Sequence, residues 1–385
     1  MLAFRAMIGK DEIASIIEGY SRDDLRIGVL GSHSALEICR GAKDEGFKTV
    51  VICEKGREKT YTNYYRRRII FGREVGVVDE AIILDKFREI LRDDVQLELR
   101  SRSTIFIPHR SLCVYVGYRA LEDEFRIPMF GNRFLLKVEE RDVERNQYYL
   151  MEKAGIPHPR IFRDPSEIDG LALVKAPEAA RGFERAFFLA SSPREFEEKA
   201  EDLIRKRALT REGLERAVIE EFIVGAPFNF NFFYSPLTGE VELLGVDTRR
   251  QTNLEGIMRL PAPYQVEALK HMELKTIEVG HIACTVRESL LERAFELAEK
   301  LVKAAREEYP PGIIGPFALQ SMIIPGPPHE DIVVYDLSVR VPGSPGTKFT
   351  PYSENLWGFS MSVGRRIALE IRESLKQDRL LDLLT

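Results

Sequence analysis

Residues 25–53 read LRIGVLGSHSALEICRGAKDEGFKTVVIC, and this stretch sets the expected fold class. The apolar runs 25–30 and 48–53 have the length of short buried strands. The segment 35–45 between them has the pattern of a helix that ends at Gly46. A strand, a helix and a second strand in so short a span indicate a βαβ unit with parallel strands.

The rest of the chain continues the mixture of strands and helices. Further strands are predicted at 77–83, 103–108, 171–175, 183–189, 218–224, 228–234, 241–246 and 332–341. Helices are predicted at 11–20, 134–155, 192–207 and 288–307, with loops at 176–182, 325–328 and 342–351. The first third is therefore an open parallel sheet of the Rossmann type, and the expected class is α/β with more than one domain.

The composition is that of a globular protein with a large core. The 385 residues suffice for two or three compact units, and 44% of them are hydrophobic. The formal net charge of −5 provides no positive field for nucleic acid, so no such partner is expected. Charged residues make up 30% of the chain, which is typical of heat-adapted proteins.

Cysteine spacing and hydropathy predict a cytoplasmic protein. Cys39, Cys53, Cys113 and Cys284 lie far apart, without the CxxC spacing of a zinc site, and are expected to be reduced core residues. Residues 1–10 lack the sustained apolar stretch of a signal peptide. Because no run of about 18 apolar residues occurs, no membrane span is predicted.

Three polar groups follow strands of the predicted parallel sheet, at the edge where such sheets bind ligands. Ser32, His33 and Ser34 begin the predicted helix, where free N–H groups suit an anion, although a serine there is equally able to cap the helix. The other groups are Lys55, Arg57 and Lys59 after the second strand, and His109, Arg110 and Ser111 after a later one. A solvated loop is the alternative for both basic groups, but their shared edge favours a phosphate site.

Two features of the second half suit a nucleotide. Lys175 ends an apolar strand just before a loop, which places its ammonium to neutralise phosphates; a surface lysine is the alternative. The run 220–224, Glu-Glu-Phe-Ile-Val, couples acids to an apolar strand, which is the form of a hinge that binds adenine. Its main-chain groups would read the base edge, and a carboxylate would reach the amine or the ribose.

Asp336, Ser338 and Arg340 alternate along one predicted strand, so all three are expected on the same face. An acid and an arginine on one face are able to hold Mg²⁺ and a transferring phosphoryl group. A cross-strand ion pair is the other interpretation of the same pattern.

Several ordered motifs resemble the archaeal PurP family. They are GSHSAL at 31–36, KGREK at 55–59, PMFGNR at 128–133, YSP at 234–236, LLGVD at 243–247, GIIGPF at 312–317 and MSVGRR at 361–366. The resemblance covers nearly the whole chain. It implies an ATP-grasp ligase that uses formate and ATP to convert 5-aminoimidazole-4-carboxamide ribonucleotide (AICAR) to its formamido product (FAICAR) in purine biosynthesis, through formyl phosphate.

The resemblance also implies roles for particular residues. His33 with its serines, the 55–59 loop, His109, Ser111 and Asn253 would hold the substrate nucleotide. Lys175, Glu220, Glu221, Phe222, Val224 and Asn229 would bind ATP, whereas Asp336 and Gln320 would hold Mg²⁺. Arg340, Arg249 and His33 would act in catalysis. A homo-oligomer is expected, because folds of this family commonly associate.

The sequence departs from the family pattern at the site. Loop 176–182 keeps one glycine, Arg110 replaces a glycine, Gln251 replaces a glutamate, and Asp336 stands where the family has a longer glutamate. Two alternatives therefore accompany the formate-dependent ligase. One is a paralogue that activates a different carboxylate, and the other is a nucleotide-binding regulatory relative without turnover.

Three units are predicted from these patterns. Residues 1–133 form the Rossmann-like substrate-binding domain, 134–217 the central ATP-grasp subdomain, and 218–385 the C-terminal ATP-grasp subdomain.

Overall fold

The structure, a computed structural model, describes residues 7–141, 143–177, 185–272, 274 and 277–385. In the N-terminal part the α-helices are α1 (Lys10–Glu18), α2 (Ala35–Asp44), α3 (Asp93–Ser101), α4 (Arg110–Val116) and α5 (Tyr118–Asp123). The strands are β1 (Arg26–Leu30), β2 (Lys48–Glu54), β3 (Arg68–Ile70), β4 (Arg73–Val75), β5 (Glu80–Leu84) and β6 (Thr104–Phe106). A π-helix spans Thr60–Tyr64, and 3₁₀ helices span Arg22–Asp24 and Phe87–Leu91.

The parallel Rossmann-like sheet predicted from residues 25–53 is confirmed. Its strands lie in the order β5–β2–β1–β6 and all pair in parallel. Helix α2 buries Ile38, Cys39 and Ala42, so the apolar face of the helix covers the sheet as the sequence pattern requires. Because the strands run the same way, the loops after β1, β2 and β6 open at one edge.

The central part contains α6 (Gln147–Ala154), β7 (Ile161–Phe162), β8 (Ala172–Pro177), β9 (Arg185–Ala190), α7 (Pro193–Arg205), α8 (Arg211–Glu215) and β10 (Val218–Glu221). Further 3₁₀ helices span Leu136–Glu139 and Pro165–Glu167. The four strands form an antiparallel sheet in the order β7–β10–β8–β9.

The predicted boundary between 217 and 218 stays a prediction, although β10 hydrogen-bonds to β8 across it. Residues 178–182 of the predicted loop 176–182 lie outside the described residues.

The C-terminal part contains β11 (Ala226–Tyr234), β12 (Val241–Gln251), α9 (Thr252–Met258), α10 (Ala262–His271), β13 (Glu278–Cys284), α11 (Leu291–Glu308), β14 (Gly315–Ile324), β15 (Asp331–Ser338), α12 (Tyr352–Trp357) and α13 (Val363–Lys376). Shorter 3₁₀ helices span Glu288–Leu290, Pro345–Phe349 and Leu380–Asp382. The strands form an antiparallel sheet in the order β13–β12–β11–β14–β15. Helix α11 packs on this sheet through Leu297, Ala298 and Leu301, which are fully buried.

The chain returns to the N-terminal sheet at its end. Helix α13 packs against α2 so closely that Gly41 faces the backbone of Gly364 and Arg365 directly. The carboxylate of Glu37 accepts a hydrogen bond of 2.7 Å from the N–H of Gly364. The first and last parts of the chain are therefore packed together.

Two predicted elements differ from the structure. The charged segment 134–155 is not one continuous helix, because among its described residues only Leu136–Glu139 and Gln147–Ala154 are helical and Asn146 caps the second of them. The strand predicted to 341 ends at Ser338, so Arg340 lies beyond it. In the described part of the chain, no helix is both long and apolar enough to cross a membrane.

Candidate active site

Two serines and one arginine meet at the open edge of the parallel sheet. Ser111 Oγ donates to Ser32 Oγ at 3.1 Å, and Arg57 donates to Ser32 Oγ at 3.4 Å and to Tyr115 OH at 3.0 Å. Residues after β1, β2 and β6 thus converge as the sequence predicts. The other two basic residues do not join them, because Lys55 pairs with Asp85 on the surface and Lys59 is also exposed.

Ser34 is the N-cap residue of α2, but its side chain makes no capping hydrogen bond, so the capping alternative does not hold for this serine. Its hydroxyl instead donates to the carbonyl of Pro342 at 3.0 Å and contacts His33 Nδ1 at 2.7 Å. The loop after β1 is therefore tied to the segment that follows β15. Gly343 fits against the imidazole there, since a Cβ at this glycine would lie 3.0 Å from His33 Nε2.

His33 stacks on His109, with ring centroids 5.4 Å apart and an angle of 11° between the planes. His109 Nε2 contacts the carbonyl of Leu30 at 2.9 Å, and its Nδ1 accepts from the N–H of Ser111 at 3.2 Å. Burial lowers the pKa of His109 to about 4, despite the hydrogen bond to Leu30. His33 has an exposed surface, but desolvation by the atoms around its ring and the charge of Arg340 hold its pKa well below the ordinary value. Both rings are therefore neutral at pH 7.

Two of the nucleotide-binding residues predicted in the second half, Lys175 and Glu220, belong to a buried polar network. Lys175 makes an ion pair with Glu220, and the same carboxylate accepts from the hydroxyl of Tyr148. Arg141 Nε donates to that hydroxyl at 3.2 Å, and its Nη2 donates to Asp336 Oδ1 at 2.5 Å. Desolvation and the nearby Arg141 lower the pKa of Lys175, against the raising effect of Glu220. The predicted phosphate lysine thus belongs to one network with the predicted metal ligand.

Arg340 lies between these two regions. Its Nη2 donates to Glu139 Oε2 at 3.0 Å, and its Nη1 donates to the carbonyl of Val341 at 3.2 Å. The Nε of this buried arginine has no hydrogen-bond partner among the described residues. A parallel bridge between His109 and Val341 places this segment against the N-terminal sheet. A buried donor without a partner is suited to an anionic ligand.

Arg249, the other predicted catalytic arginine, is held by two neighbours. Its guanidinium donates to Gln320 Oε1, and its Nε lies 2.9 Å from Glu278 Oε2. His281 contacts Glu278 Oε1 at 2.8 Å through Nε2 and Asp247 Oδ1 at 2.5 Å through Nδ1. The side chain of Asp247 is fully buried.

The remaining predicted residues lie on or near β10, β11 and α9. Asn229 donates to Asp247 Oδ1 at 2.8 Å, so its side chain supports that carboxylate. Glu221 is exposed and accepts from the N–H of Arg160 at 3.3 Å, while the N–H of Phe222 donates to the carbonyl of Leu171. Val224 is exposed after β10, and Asn253 lies in the first turn of α9.

Comparisons with known proteins identify the family of this chain. Residues 27–162 match the family described as "Protein of unknown function (DUF1246)", and residues 195–385 match "Domain of unknown function (DUF1297)". The 5-formaminoimidazole-4-carboxamide-1-(beta)-D-ribofuranosyl 5'-monophosphate synthetase of Methanothermobacter thermautotrophicus is 43% identical over 381 residues, which are 98% of this chain and 99% of that relative. Proteins of the same name from Methanopyrus kandleri and Archaeoglobus fulgidus are 42% and 37% identical, over 96% and 97% of this chain and 97% and 99% of theirs. This chain belongs to that synthetase family.

Solved structures confirm the ATP-grasp fold of the synthetase family in this chain. The crystal structure of an IMP biosynthesis protein PurP from Thermococcus kodakaraensis is 30% identical, with a TM-score of 0.68 over 93% of this chain and 100% of that one. The biotin carboxylase domain of a Hydrogenobacter thermophilus 2-oxoglutarate carboxylase, solved with MgADP, has a TM-score of 0.58 over 89% of this chain and 69% of its own. At 16% identity the second likeness concerns the fold alone.

The synthetase-family residues expected to hold Mg²⁺ supply one carboxylate and one amide. Asp336 and Gln320 are register partners on β15 and β14, so their side chains emerge beside each other. Mg²⁺ usually takes one or two carboxylates together with substrate phosphates, so this pair fits Mg²⁺ bound with a nucleotide. Burial opposes ionisation of Asp336, but Arg141, Lys175 and Arg249 lower its pKa. In the described ranges, no three His, Cys, Asp or Glu side chains form a separate metal site.

Sequence reasoning missed six residues that the fold brings to this site: Glu139, Arg141, Tyr148, Asp247, Glu278 and His281. Arg141 and Tyr148 lie in segment 134–155, which the sequence predicts as one charged helix, so neither was expected at the site. Glu278 and His281 lie on the edge strand β13 and have no motif around them. Only Asp247 carried a signal, because it ends the LLGVD motif. Pairing of β12 with β13, which sequence does not specify, is what places Arg249 opposite His281.

Proposed function

We propose that this chain is an ATP- and formate-dependent ligase that converts AICAR to FAICAR in IMP biosynthesis, with release of ADP and phosphate. One observation carries the proposal. The serine, histidine and arginine groups at the edge of the parallel sheet adjoin Arg340 and Gly343. Arg340, in turn, follows the strand that carries Asp336. We infer that the nucleotide phosphate and ATP bind in adjoining parts of one site, as a ligase that joins two substrates requires.

The reaction has two chemical steps. A formate oxygen attacks the γ-phosphorus of ATP, the bond to the β-phosphate oxygen breaks, and formyl phosphate and ADP form. The 5-amino nitrogen of AICAR then attacks the formyl carbon, the bond from that carbon to the phosphate oxygen breaks, and the nitrogen loses a proton. Mg²⁺, when bound, would neutralise charge on the transferring phosphoryl group.

The residues of this chain bind and orient the reactants. Arg57, Ser32 and Ser111 suit the 5′-phosphate of the nucleotide, because a guanidinium and two hydroxyls converge there. Neutral His33 suits a hydrogen bond to the heterocycle rather than general base catalysis, since its low pKa leaves it little affinity for a proton. Lys175 and Arg340 suit the phosphates of ATP. The reactive acyl phosphate would be sheltered where the two parts of the chain meet.

The test is ADP release across pairs of substrates. ATP with Mg²⁺, formate and AICAR is expected to release ADP and to give FAICAR by mass spectrometry, whereas omission of formate or AICAR stops ADP release. ADP release with another carboxylate but not with formate would favour a paralogue of different specificity. Tight ATP binding without ADP release with any pair of substrates would contradict the proposed ligase activity and favour a regulatory relative.

A comparison of two single variants locates the substrates. Arg57→Ala is expected to weaken binding of AICAR at least tenfold and to change ATP binding little, because Arg57 lies at the edge of the parallel sheet. Lys55→Ala is the matched control, since Lys55 follows the same strand but pairs with Asp85 on the surface. Equal losses of AICAR affinity in both variants, measured by calorimetry, would contradict the placement of the phosphate. A cytoplasmic, heat-stable homo-oligomer stays a prediction that accompanies this function.

A further inference from the structure

Arg110 is an arginine beside the candidate site to which the proposed function gives no role. It begins α4, between His109 and Ser111, and 31% of its side chain is exposed. Its Nη1 donates to the hydroxyl of Tyr118 at 2.7 Å and to Glu140 Oε1 at 3.4 Å. The guanidinium is thus held within a group of polar side chains and is not extended into solvent.

Glu139 connects Arg110 with Arg340. Glu139 Oε2 accepts from Arg340 Nη2 at 3.0 Å and lies 3.7 Å from Arg110 Nη1, so one carboxylate oxygen faces two guanidinium groups. The other oxygen accepts from the N–H of Val339 at 3.0 Å, which fixes the carboxylate against the segment after β15. The side chains of Glu139 and Arg340 are almost fully buried. The charge of Arg110 therefore acts on the same carboxylate that holds Arg340.

The two arginines and two glutamates of this group balance in charge only when Arg110 is present. Arg110 and Arg340 contribute two positive charges, whereas Glu139 and Glu140 contribute two negative charges. Without Arg110, two carboxylates would outweigh one guanidinium, and a net negative charge would lie at Arg340. Because Arg340 and Glu139 are buried, solvent would screen little of that charge, and an anion would bind less well there.

Two observations connect this group with an anion site. The Nε of Arg340 is buried without a hydrogen-bond partner among the described residues, although both Nη atoms of this arginine donate to oxygens. A buried donor of this kind suits an anionic ligand. Desolvation is the main cause of the low pKa of His33, and the charges of Arg340 and Arg110 both lower that pKa further. The fields of the two arginines thus reach the same part of the site.

We propose that Arg110 is a positioning residue for anion binding: it balances the carboxylates of Glu139 and Glu140, so that Arg340 keeps its unpaired N–H and its charge for the transferring phosphoryl group. This assignment rests on the proposed function. Arg110 acts through Glu139 and needs no contact with a reactant. Its hydrogen bond to Tyr118 orients the guanidinium, but the balance of charge does not depend on that bond.

The first experiment measures binding and does not need turnover. Inorganic phosphate is titrated by calorimetry into the full chain saturated with MgADP at pH 7. Arg110→Gln is expected to weaken phosphate binding roughly fivefold or more, because the group gains a net negative charge, and to change ADP affinity less than about twofold. Arg110→Lys keeps the charge and is expected to stay within about threefold of wild type. Arg119→Gln is the matched control, since Arg119 lies exposed on α5 and pairs with Asp123 there.

The second experiment separates the charge of Arg110 from its structural contacts. Arg110→Gln with Glu140→Gln restores the balance of charge and is expected to recover phosphate binding to within about threefold of wild type. Tyr118→Phe removes the shortest hydrogen bond of Arg110 but no charge, and is expected to change phosphate binding less than about twofold. Glu140→Gln alone removes one negative charge and is expected to strengthen phosphate binding about threefold, a gain that misfolding does not produce.

Three results would each overturn the proposal: wild-type phosphate affinity in Arg110→Gln, a double variant no better than the single one, or an equal loss in Tyr118→Phe. A wild type that binds no phosphate would also overturn it. Should Arg110→Gln fail to fold, Glu140→Gln decides, because unchanged phosphate affinity in that variant contradicts the role of charge. If phosphate binding follows these expectations but no ADP is released with formate and AICAR, the proposed reaction is overturned while the assignment of Arg110 is supported.

Discussion

Lys175 and Glu220 form a buried ion pair, and each side chain is almost completely shielded from water. Removal of one partner leaves the other charge buried without compensation, which typically costs about 3–5 kcal/mol. The lysine that we propose to bind ATP therefore also contributes to folding stability. Only a variant that changes both Lys175 and Glu220 separates the effect on ATP binding from the effect on folding stability.

We expect Lys175→Ala to lower both ATP affinity and the free energy of unfolding. Lys175→Met with Glu220→Gln is expected to regain most of the stability, because neither buried charge remains, while ATP affinity stays at least tenfold below wild type. Chemical denaturation and calorimetry measure the two quantities. Lys206→Ala is the control, since Lys206 pairs with Asp202 on the surface. Wild-type ATP affinity in the double variant would show that Lys175 does not contact the nucleotide.

Asp336 is expected to determine the requirement for Mg²⁺. Asp336→Asn should raise the Mg²⁺ concentration for half-maximal ADP release roughly 10-fold or more, because loss of even a supporting group in a metal site costs this much. Asp331→Asn on the same strand is the control, because Asp331 pairs with Arg293 at the other end of β15. Equal Mg²⁺ requirements in the two variants would remove Asp336 from the metal site.

At the scale of elements, the contact between α2 and α13 depends on the absence of a side chain at Gly41. A Cβ at this position would overlap the backbone of Gly364 and Arg365, which no rotamer change relieves. The sequence shows a glycine inside a predicted helix, which ordinarily costs about 1 kcal/mol relative to alanine. The close packing of α2 against α13 explains why a glycine stands inside this helix.

Gly41→Ala is expected to destabilise the chain by about 1–3 kcal/mol, since the overlap forces the two helices apart and outweighs the gain in helix propensity. Gly256→Ala in α9 is the matched control, because nothing lies within 4 Å of a Cβ there. That change is expected to be neutral or to stabilise by up to about 1 kcal/mol. Urea denaturation of both variants gives the comparison. A Gly41→Ala variant at least as stable as wild type would contradict the packing.

On the scale of the whole molecule, the N-terminal sheet and the segment after β15 meet at His109. This ring is fully buried, it contacts the end of β1 through the carbonyl of Leu30, and its backbone forms a bridge with Val341. A proton on His109 would therefore place an uncompensated charge at the junction, next to Arg340. The junction is therefore less stable when the imidazole is protonated.

Acid is expected to destabilise the molecule through His109. The folded pKa of about 4 lies below the ordinary 6.5, so the unfolded chain takes up the proton first as the pH falls. The stabilising contribution is complete above pH 6.5 and is lost as the pH falls toward 4, at a cost on the order of 3 kcal/mol. His109→Asn should remove this part of the pH dependence, whereas His271→Asn on exposed α10 should not. If the free energy of unfolding changes with pH in the same way for wild type and His109→Asn, this prediction is contradicted.

Local pattern by itself determined much of the N-terminal fold and part of the site. Strand length and helix periodicity in residues 25–53 specify a βαβ unit, and the direction of parallel strands then brings Ser32, Arg57 and Ser111 to one edge. The ordered motifs along the chain were enough to identify the ligase family. These inferences succeed because they depend on short-range backbone preferences and on identities of residues near strand ends.

Only the tertiary structure decided the rest of the site. Arg141 and Tyr148 join Lys175, Glu220 and Asp336 because a segment that looks helical unwinds between two short helices. His281 faces Asp247 because β13 pairs with β12 in a particular register, and a shift by one residue would turn it away. Such contacts join residues far apart in the chain, and their energies depend on burial and on partners that no local pattern records.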